Sequence, residues 1–273
     1  MTVCQIPAMD YGVVEREICR FLRKEANGRG VVLGVSGGVD SAVVAALAVE
    51  ALGNEKVFAL MMPETGTTPA ADTKDALELV EKLGIRHATI DIAEASQKII
   101  EATERSGNRL AEGNAKARIR MVFLYYFANL EGRIVLGSGD RSELLIGYFT
   151  KYGDGGADIL PIGGLYKSQV RGLAKRLGIP ERIAVKKSSP RLWPDHMAEK
   201  ELGLGYDEID LLLHLIVDKK LSPEQVLREV GQESRANVEK IVFRVKENAH
   251  KLKVPPVAKI STRAVNGKTH LGR

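Results

Sequence analysis

The sequence predicts an α/β fold: a doubly wound parallel sheet with helices on both faces. Short β-branched runs alternate with helical patterns through the first half of the chain. Two of these helical patterns end at glycines, Gly53 and Gly84, as helices often do. The composition, 44% hydrophobic and 27% charged over 273 residues, is that of a globular protein with a sizeable core. Strands that alternate with helices form parallel sheets, so we expect crossover helices to cover both faces.

Four short apolar runs are the candidate strands, and their ends predict where a ligand binds. They are Val31–Val35, Val57–Met62, His87–Asp91 and Arg133–Ser138. In parallel α/β sheets the ligand sits beyond the carboxyl ends of the strands. We therefore expect functional residues directly after Val35, Met62, Asp91 and Leu136.

Apolar residues at helical spacing predict the helices. An N-terminal helix contains Val13 to Leu22 and stops near Gly28. The other predicted helices are Ser41–Leu52, Pro69–Leu83, Asn114–Leu130, Tyr166–Leu177, Asp207–Val217, Pro223–Val230 and Ser234–Leu252. The polar segment Val185–Gly205 predicts a long loop, and loops of this length are uncommon unless they are functional. We find no internal repeat and no clean boundary in the sequence, so we expect one domain over residues 1–273.

Several protein classes are inconsistent with the sequence. The longest apolar run, Ala42–Val49, is far shorter than the roughly 20 residues that span a bilayer. The N-terminus has no basic region followed by an apolar core, so we expect a cytoplasmic protein without membrane contact. Cys4 and Cys19 lack a metal-binding spacing and are interpreted as packing residues. The net charge of +5 fits a nucleotide partner as well as a nucleic acid, which we do not expect.

The strongest local signal is GVSGGVDSA at residues 34–42, between a candidate strand and a candidate helix. Its small residues let the backbone approach an anion, and the helix N-terminus presents N–H groups to a phosphate. A carboxylate here would repel phosphate unless a cation lay between them, so Asp40 indicates Mg²⁺. The alternative is a helix start whose glycines serve only packing. We call residues 34–41 the phosphate loop; its predicted ATP contacts are Gly34, Val35, Ser36, Gly37, Gly38, Val39, Asp40 and Ser41.

The loop resembles the SGGxDS pyrophosphate loop of the N-type ATP pyrophosphatases, and longer blocks resemble the ammonia-dependent NAD synthetase family among them. These blocks are GNAKARIRM from Gly113, GSGDRSELLIGYFTKYGDGGADILPIGGLYKSQV from Gly137, SSPRLWPDHMAEKELGLGYDEID from Ser188 and HKLKVPP from His250. The blocks follow the family's order over most of the chain. The resemblance implies the Rossmann-like fold of the adenine nucleotide alpha hydrolases. It also implies a ligase that cleaves ATP between its α and β phosphates.

The resemblance implies a further role for Asp40 and roles for four other side chains around ATP. Asp40 and Glu143 would hold Mg²⁺ and, together with Lys167, would be the catalytic residues. Ser138, Lys167 and Ser189 would add ATP contacts; Ser138 replaces the threonine usual in the family and keeps its hydroxyl. From the residues alone, Glu143 is more readily explained as a first-turn glutamate favoured by the helix dipole.

The resemblance assigns binding of deamido-NAD to Arg118, Lys151, Asp158, His250 and Lys251. Cationic side chains suit the pyrophosphate and carboxylate of this substrate. From the residues alone, the arginine also fits a surface ion pair, the lysine and aspartate of the 151–158 stretch fit turns, and the histidine fits a structural role. Phe149 and Tyr152 fit either stacking on the nicotinate ring or packing in the core. Asp158 is in addition a candidate proton acceptor for ammonium.

The implied reaction has two steps. The nicotinate carboxylate of deamido-NAD attacks the α phosphorus of ATP and expels pyrophosphate, and ammonia then opens the adenylylated intermediate to give NAD and AMP. Residues 186–205, which we call the lid segment, would keep water from that intermediate. Only about 30 residues precede the phosphate loop, too few for a glutaminase domain, so we expect free ammonia as the nitrogen donor. Family members are typically homodimers with deamido-NAD at the subunit interface, so we expect a homodimer.

Two other functions stay open at this point. The basic tail from Lys251 is compatible with an RNA-modifying member of the loop family that adenylylates a tRNA base, although the sequence lacks a CxxC motif. A non-catalytic adenine-nucleotide sensor would keep the glycines but has no need for both Asp40 and Glu143. AMP release that depends on deamido-NAD and ammonia would distinguish the synthetase from both.

Overall fold

The computed structural model describes residues 5–103 and 107–260. Four parallel strands form one sheet in the order β3-β2-β1-β4. The strands are β1 (Val31–Gly34), β2 (Val57–Met61), β3 (Arg86–Thr89) and β4 (Ile134–Leu136). Val31 of β1 lies opposite Val57 on one side and Ile134 on the other. The chain winds outward to β3 and then returns past β1 to β4, so a crevice opens between β1 and β4 at their carboxyl ends.

Twelve α-helices surround or extend the sheet in the described residues. They are α1 (Tyr11–Ala26), α2 (Val39–Leu52), α3 (Ala70–Lys82), α4 (Ala93–Ala102), α5 (Arg109–Glu131), α6 (Arg141–Ile146), α7 (Lys167–Arg176), α8 (Glu181–Ala184), α9 (Ala198–Leu202), α10 (Tyr206–Leu213), α11 (Pro223–Val230) and α12 (Arg235–Asn248). A π-helical turn, His214–Asp218, continues α10. Short 3₁₀ turns lie at Asn54–Lys56, Gln232–Ser234 and Ala249–Leu252.

Both faces of the sheet are buried. Val31 and Leu33 belong to a hydrophobic cluster that includes buried residues of α1, α2 and α7. Val32 and Val135 pack instead with Ala128 of α5. This alternation follows from the two-residue period of a strand, which points successive side chains to opposite faces. The predicted α/β fold, with a parallel sheet between two layers of helices, is confirmed.

A third hydrophobic cluster lies in the C-terminal half of the chain. It contains Tyr206, Leu213 and Ile241 and reaches Ile146 of α6 and Tyr166, the residue before α7. The C-terminal helices therefore pack on α6 and on the start of α7. This packing explains how α6 stays helical, because a helix of six residues is too short to be stable alone.

The predicted elements agree with the structure in kind and differ at their ends. The helix predicted from Ser41 begins at Val39, the strand predicted to reach Asp91 ends at Thr89, and the helix predicted from Asn114 begins at Arg109. Four helices of ten residues or fewer were not predicted, because a periodic pattern is weak over so few turns: α4, α6, α8 and α9. The last of these lies inside the segment predicted to be a loop over Val185–Gly205.

Cys19 is buried against the carbonyl oxygen of Leu47, as expected of a packing residue. Cys4 and the basic tail beyond residue 260 lie outside the described residues. Across the described parts of the chain, no helix combines the length and the hydrophobicity that crossing a bilayer requires.

Candidate active site

A cavity of about 520 Å³ opens at the carboxyl edge of the sheet. Its lining includes residues directly after β1, β2 and β4, namely Ser36, Met62, Pro63, Gly137 and Ser138. Three of the four predicted strand ends therefore meet at one site. Within the described chain, β3 contributes no lining residue. Asp91 beyond it instead accepts hydrogen bonds from Thr65 and from the Ala93 N–H, where α4 begins.

The phosphate loop turns from β1 into α2 with its serines bonded to each other. The Ser36 N–H donates to the Ser41 hydroxyl at 3.1 Å, and the two hydroxyl oxygens are also 3.1 Å apart. Gly38 is the N-cap of α2 in an extended conformation, and no side chain caps the first turn. The first N–H groups of a helix lack intrahelical partners, so those of α2 and the positive end of its dipole are available to an anion. The loop therefore has the geometry of a phosphate site.

Gly37 is required where the phosphate loop meets α3. Its φ of +78° lies in the left-handed region, and a methyl group built on it would overlap the carbonyl oxygen of Asp72. Glycine alone satisfies both conditions without strain. The Lys186 ammonium donates to the Gly37 carbonyl oxygen at 2.8 Å, so the lid segment reaches the loop at the same place.

Three carboxylates surround the ammonium group of Lys167 beside the phosphate loop. Its Nζ lies 2.7 Å from Asp40 Oδ2, 2.8 Å from Asp140 Oδ2 and 3.0 Å from Glu143 Oε1. The starts of α2, α6 and α7 supply these side chains, so three helix N-termini converge here. Lys167 and Asp140 are fully buried, whereas Asp40 and Glu143 line the cavity. We call these four residues the carboxylate cluster; it unites the three predicted catalytic residues.

Burial and charge shift the protonation of the carboxylate cluster. Burial raises the pKa of Asp140 to about 6, against the opposing effect of the Lys167 charge. Burial and the charge of Asp140 raise the pKa of Glu143 well above its usual value. Burial by itself would lower the pKa of Lys167, but the three carboxylates raise it well above its usual value. The lysine therefore stays protonated and acts as a fixed internal cation.

The cluster fits a divalent cation. One oxygen from each of Asp40, Asp140 and Glu143 lies within 4.8 Å of the others. The Oδ1 atom of Asp40 is buried and has no hydrogen-bond partner among the described residues. Carboxylate oxygens beside a phosphate loop are the ligands that Mg²⁺ usually takes in proteins. The structure thus adds Asp140 as a third candidate ligand to the predicted pair, Asp40 and Glu143.

Glu143 lies in the first turn of α6, as the residues alone predict, and also belongs to the carboxylate cluster. Its backbone N–H donates to Asp140 Oδ1 at 2.8 Å, and its own carboxylate accepts from the Asp140 N–H at 3.3 Å, which forms a capping box. Its other oxygen accepts from Lys167. The sequence analysis missed Asp140, although a D-x-x-E spacing directly after a strand is a signal for a capped helix at the sheet edge.

Of the three remaining residues predicted to contact ATP, two line the cavity and one, Lys167, does not. Ser138 and Ser189 both line the cavity. The Ser189 hydroxyl donates to the His196 carbonyl oxygen within the lid segment. Lys167 does not line the cavity in this structure, and it meets the cavity through Asp40 and Glu143. In this structure Lys167 contacts the carboxylates, and its direct contact with ATP stays a prediction.

Ion pairs and a backbone hydrogen bond hold the first half of the lid segment over the cavity. Lys186 Nζ lies 3.0 Å from Asp72 Oδ1 and 2.5 Å from Asp75 Oδ2, both on α3. The carbonyl oxygen of Leu192 accepts from Lys116 of α5 at 3.2 Å. The segment is thus attached to the helices on both sides of the cavity.

A polar and aromatic group holds the second half of the lid segment. The rings of Trp193 and His196 stack with their centroids 3.5 Å apart. His196 Nε2 lies 2.7 Å from Glu201 Oε2, which also accepts from the Tyr148 hydroxyl at 2.7 Å. Burial lowers the pKa of His196, so the ring is neutral at pH 7. All four side chains line the cavity, and the sequence analysis predicted none of them.

Of the residues predicted to bind deamido-NAD, Lys251 lines the cavity, and a group of three lies outside the lining. Arg118 donates to the Lys151 carbonyl oxygen at 3.2 Å, and Lys151 donates to the His250 carbonyl oxygen at 3.1 Å. These three residues lie outside the cavity lining. Lys251 does line the cavity, where it donates to the carbonyl oxygens of Gly147 and Phe149. Phe149 also lines the cavity, as stacking on a nicotinate ring requires, whereas Tyr152 is half exposed outside it.

Asp158, the fifth predicted residue, has a structural role at β4. One carboxylate oxygen accepts from the Val135 N–H at 2.9 Å, and the other accepts from the Tyr125 hydroxyl at 3.0 Å. The residue does not line the cavity. Its predicted contact with deamido-NAD and its candidacy as proton acceptor for ammonium therefore stay predictions.

Comparison with known proteins identifies the family. A family model described as NAD synthase matches residues 14–255. The chain belongs to the NAD synthase family. An NH(3)-dependent NAD(+) synthetase from Hyperthermus butylicus is 48% identical over 259 residues, which cover 94% of this chain and 94% of that protein. The protein of the same name from Pyrobaculum aerophilum is 49% identical over 92% of this chain and 93% of its own length.

Solved structures of the NAD synthase fold superpose closely on this chain. An NH3-dependent NAD synthetase from Campylobacter jejuni, solved with a nitrate ion, gives a TM-score of 0.77 at 34% identity and covers 92% of this chain and all of its own. An NMN synthetase from Francisella tularensis gives a TM-score of 0.80 at 36% identity, with 93% and 100% covered. The Rossmann-like fold implied by the sequence blocks is therefore confirmed.

Proposed function

We propose that this chain makes NAD from deamido-NAD, ammonia and ATP, with release of AMP and pyrophosphate. The observation that carries the proposal is that the phosphate loop and the carboxylate cluster open on one lidded cavity. A ligase that splits ATP between its α and β phosphates needs an anion-binding helix start and positive charge at that place. The relatives named NH(3)-dependent NAD(+) synthetase support this substrate class rather than RNA modification or nucleotide sensing.

In the first step, the nicotinate carboxylate attacks the α phosphorus of ATP. The new oxygen–phosphorus bond forms while the bond to the bridging oxygen breaks, so negative charge grows on the departing pyrophosphate. We expect the N–H groups at the start of α2, which have no side-chain cap, to receive that charge. Lys167 keeps Asp40 and Glu143 in fixed positions beside it. The chain thus contributes mainly position and electrostatics.

Asp40, Asp140 and Glu143 would hold a Mg²⁺ ion beside the phosphate loop. When bound, the ion supplies positive charge that offsets the charge of the phosphate oxygens. The cluster supports this proposal because its three carboxylates outnumber the single ammonium of Lys167, and the residues alone would repel pyrophosphate.

In the second step, ammonia attacks the carbonyl carbon of the adenylylated substrate, AMP leaves and the amide of NAD forms. Water would hydrolyse the same intermediate, so the cavity has to exclude it. The lid segment performs this exclusion, since Lys186 attaches one end to α3 and the His196–Glu201 contact attaches the other. Release of pyrophosphate and NAD then requires the lid segment to open.

A second copy of the chain would complete the deamido-NAD site. Arg118, Val122, Tyr126 and Leu130 recur every four residues on α5 and therefore share one face of the helix. The last three are apolar and are 59%, 61% and 65% exposed. A contiguous exposed apolar surface is typical of an interaction site. Because Arg118 lies on this face and outside its own cavity, an acceptor site shared between two copies accounts for its position.

Deamido-NAD and nicotinate mononucleotide carry the same reacting carboxylate and differ in size. The relationship to an NMN synthetase makes nicotinate mononucleotide the second candidate. Arg118 and Lys151 lie beyond the wall of the cavity, where the additional AMP moiety of deamido-NAD could reach them. This position favours the dinucleotide.

The experiment supplies ATP, Mg²⁺ and ammonium with deamido-NAD, nicotinate mononucleotide or tRNA in separate reactions. Chromatography measures AMP and the amidated product. We expect AMP and NAD in equal amounts with deamido-NAD, and only slow turnover with the mononucleotide. Faster turnover of the mononucleotide would assign the NMN synthetase activity instead. AMP release with tRNA alone, or no AMP release with any acceptor, would overturn the proposal.

A further inference from the structure

Asp210 is a buried carboxylate that the proposed mechanism does not use. It lies in α10, is fully buried, and forms no ion pair within residues 5–103 and 107–260. Its Oδ1 accepts from the Ser142 hydroxyl at 2.5 Å, and its Oδ2 accepts from the Ser168 N–H at 2.8 Å. Burying a carboxylate is costly unless hydrogen bonds and positive charge compensate for the lost water. The position therefore calls for a role beyond filling space.

The compensation comes from the start of α7. The N-cap of this helix, Tyr166, makes no side-chain capping bond. Instead, Ser142 Oγ accepts from the Lys167 N–H at 3.0 Å, and Asp210 accepts from the Ser168 N–H. Side chains of two other helices thus satisfy the first two N–H groups of α7. The carboxylate also lies at the positive end of the dipole of that helix.

These bonds join α6 to α7 at the carboxylate cluster. Ser142 stands between Asp140 and Glu143 in the sequence, and Lys167 is the first residue of α7. One carboxylate, Asp210, therefore holds the side chain of one helix start and the backbone of the other. A change in this contact would therefore act on the helix start that carries Lys167.

Asp218, two turns farther along the same helical run, makes a parallel connection. It accepts from the Tyr166 hydroxyl at 2.7 Å and pairs with Arg141. Tyr166 precedes Lys167 and Arg141 follows Asp140, so this carboxylate also joins the starts of α6 and α7. Two carboxylates of the C-terminal half thus act on the same two helix starts.

We propose that Asp210 is a positioning residue: through Ser142 and the start of α7 it keeps Lys167 and the cluster carboxylates in the geometry that binds ATP with Mg²⁺. The substrate in this proposal rests on the proposed function, whereas the contacts do not. Asp210→Ala leaves the Ser142 hydroxyl without an acceptor and the Ser168 N–H without a partner, so we expect the start of α7 to shift. Asp210→Asn keeps the shape and one acceptor, so it preserves part of the geometry.

The test compares Asp210→Ala, Asp210→Asn and Ser142→Ala with the unchanged chain. Glu208→Ala is the matched control, because Glu208 lies on the same helix but binds Asn237 of α12 at 2.6 Å. The measurements are kcat, the Mg²⁺ concentration for half-maximal rate, calorimetric binding of ATP with Mg²⁺, and thermal unfolding. We expect Asp210→Ala to lower kcat and the affinity for ATP with Mg²⁺ by about 10- to 100-fold. Asp210→Asn and Ser142→Ala should fall between it and the unchanged chain, and Glu208→Ala should keep both values.

The outcomes separate this proposal from the proposed function. If the unchanged chain binds ATP with Mg²⁺ but makes no NAD, and the Asp210 variants weaken that binding, the function is wrong and the positioning role stands. If the variants lose only thermal stability and keep kcat, Mg²⁺ dependence and ATP affinity at a temperature where they are folded, the positioning role is wrong. If Asp210→Ala fails to fold, the kcat, Mg²⁺ dependence and ATP affinity of Asp210→Asn and Ser142→Ala test the positioning role instead.

Discussion

At the scale of single residues, the site is defined by an excess of negative charge. Asp40, Asp140 and Glu143 surround one ammonium group, that of Lys167. A triphosphate that enters the same cavity adds more negative charge, so its binding needs a further cation. The charge of Lys167 is already offset, because its ammonium contacts three carboxylates. This imbalance is the physical reason to expect magnesium dependence.

Asp40→Ala and Glu143→Ala are each expected to lower kcat by about 100-fold or more. Both carboxylates contact the same ammonium and would share the same cation. Residues that act as a unit give losses that do not add, so the double variant should be little slower than either single variant. Steady-state kinetics of the three variants provide the measurement. Losses that add in free energy would argue against a shared site.

Gly37→Ala is expected to abolish ATP binding. The added methyl group would overlap the Asp72 carbonyl oxygen, and the positive φ of Gly37 adds about 1–3 kcal/mol of strain. Gly53→Ala is the matched control at the other end of α2: its φ is +85°, but the space around its Cβ is open. It should lose stability through strain alone and keep its ATP affinity. Denaturant unfolding measures the stability of both variants, and calorimetry measures their ATP affinity. Equal losses of ATP affinity in both variants would show that the contact with Asp72 is not the cause.

At the scale of elements, the sequence predicts those helices and strands whose pattern is local and long. Buried strands and helices of three or more turns have a period that can be read from consecutive residues. The short helix α9 has no such pattern; Ala198 and Leu202 are buried in it only because the C-terminal cluster covers them. The same reason explains the lid segment, which was predicted as continuous loop to residue 205.

In the candidate site, too, a local motif could be predicted from the sequence and contacts between distant residues could not. The phosphate loop was predicted because its residues are consecutive. The contacts that were missed join distant parts of the chain: Ser142 and Asp210 are 68 residues apart, and Tyr148 and Glu201 are 53 apart. Such pairs leave no local spacing in the sequence, and only the packing of the C-terminal helices on α6 and α7 brings them together.

Closure of the lid segment is expected to weaken as the pH falls below 6.5. Burial lowers the pKa of His196 from 6.5; the charges of Arg109 and Arg191 act in the same direction, and Glu201 opposes them. An open lid would let His196 bind a proton near its ordinary pKa, so the open state takes up more protons than the closed state. The closed state therefore keeps its full stability above pH 6.5 and loses it as the pH falls toward the lowered pKa.

Trp193 provides the measurement, because it is the only tryptophan in the sequence and stacks on His196. Its emission should change with a midpoint below pH 6.5, since protonation of the imidazole alters the stacked pair. The change should disappear in His196→Gln and persist in His214→Gln, whose ring packs on Tyr166 instead. A midpoint at or above 6.5 would contradict a buried, neutral imidazole.

At the scale of the whole molecule, the residues predicted to bind deamido-NAD divide between the cavity and the surface beside α5. The part of the cavity that we propose binds ATP is lined by the phosphate loop, by Asp40 and Glu143 of the carboxylate cluster and by the lid segment. On the acceptor side, Lys251 faces the cavity while Arg118, Lys151 and His250 lie beside the exposed stripe of α5. A substrate that meets both groups must extend from the cavity toward that stripe. The stripe therefore links the expected homodimer to binding of deamido-NAD.

Tyr126→Glu is expected to convert dimers into monomers and to weaken binding of deamido-NAD while leaving ATP affinity unchanged. A charge in the middle of the apolar stripe would have to be buried without a partner in the dimer, which is costly. Phe243→Glu is the matched control, because Phe243 is similarly exposed, at 64%, but lies on α12. Sedimentation velocity measures the assembly state, and calorimetry measures the affinities for ATP and deamido-NAD.

If Tyr126→Glu separated the copies yet bound deamido-NAD as tightly as before, the acceptor site would belong to one chain, and Arg118 would be a surface residue. If both variants stayed dimeric, a face other than the α5 stripe would join the copies.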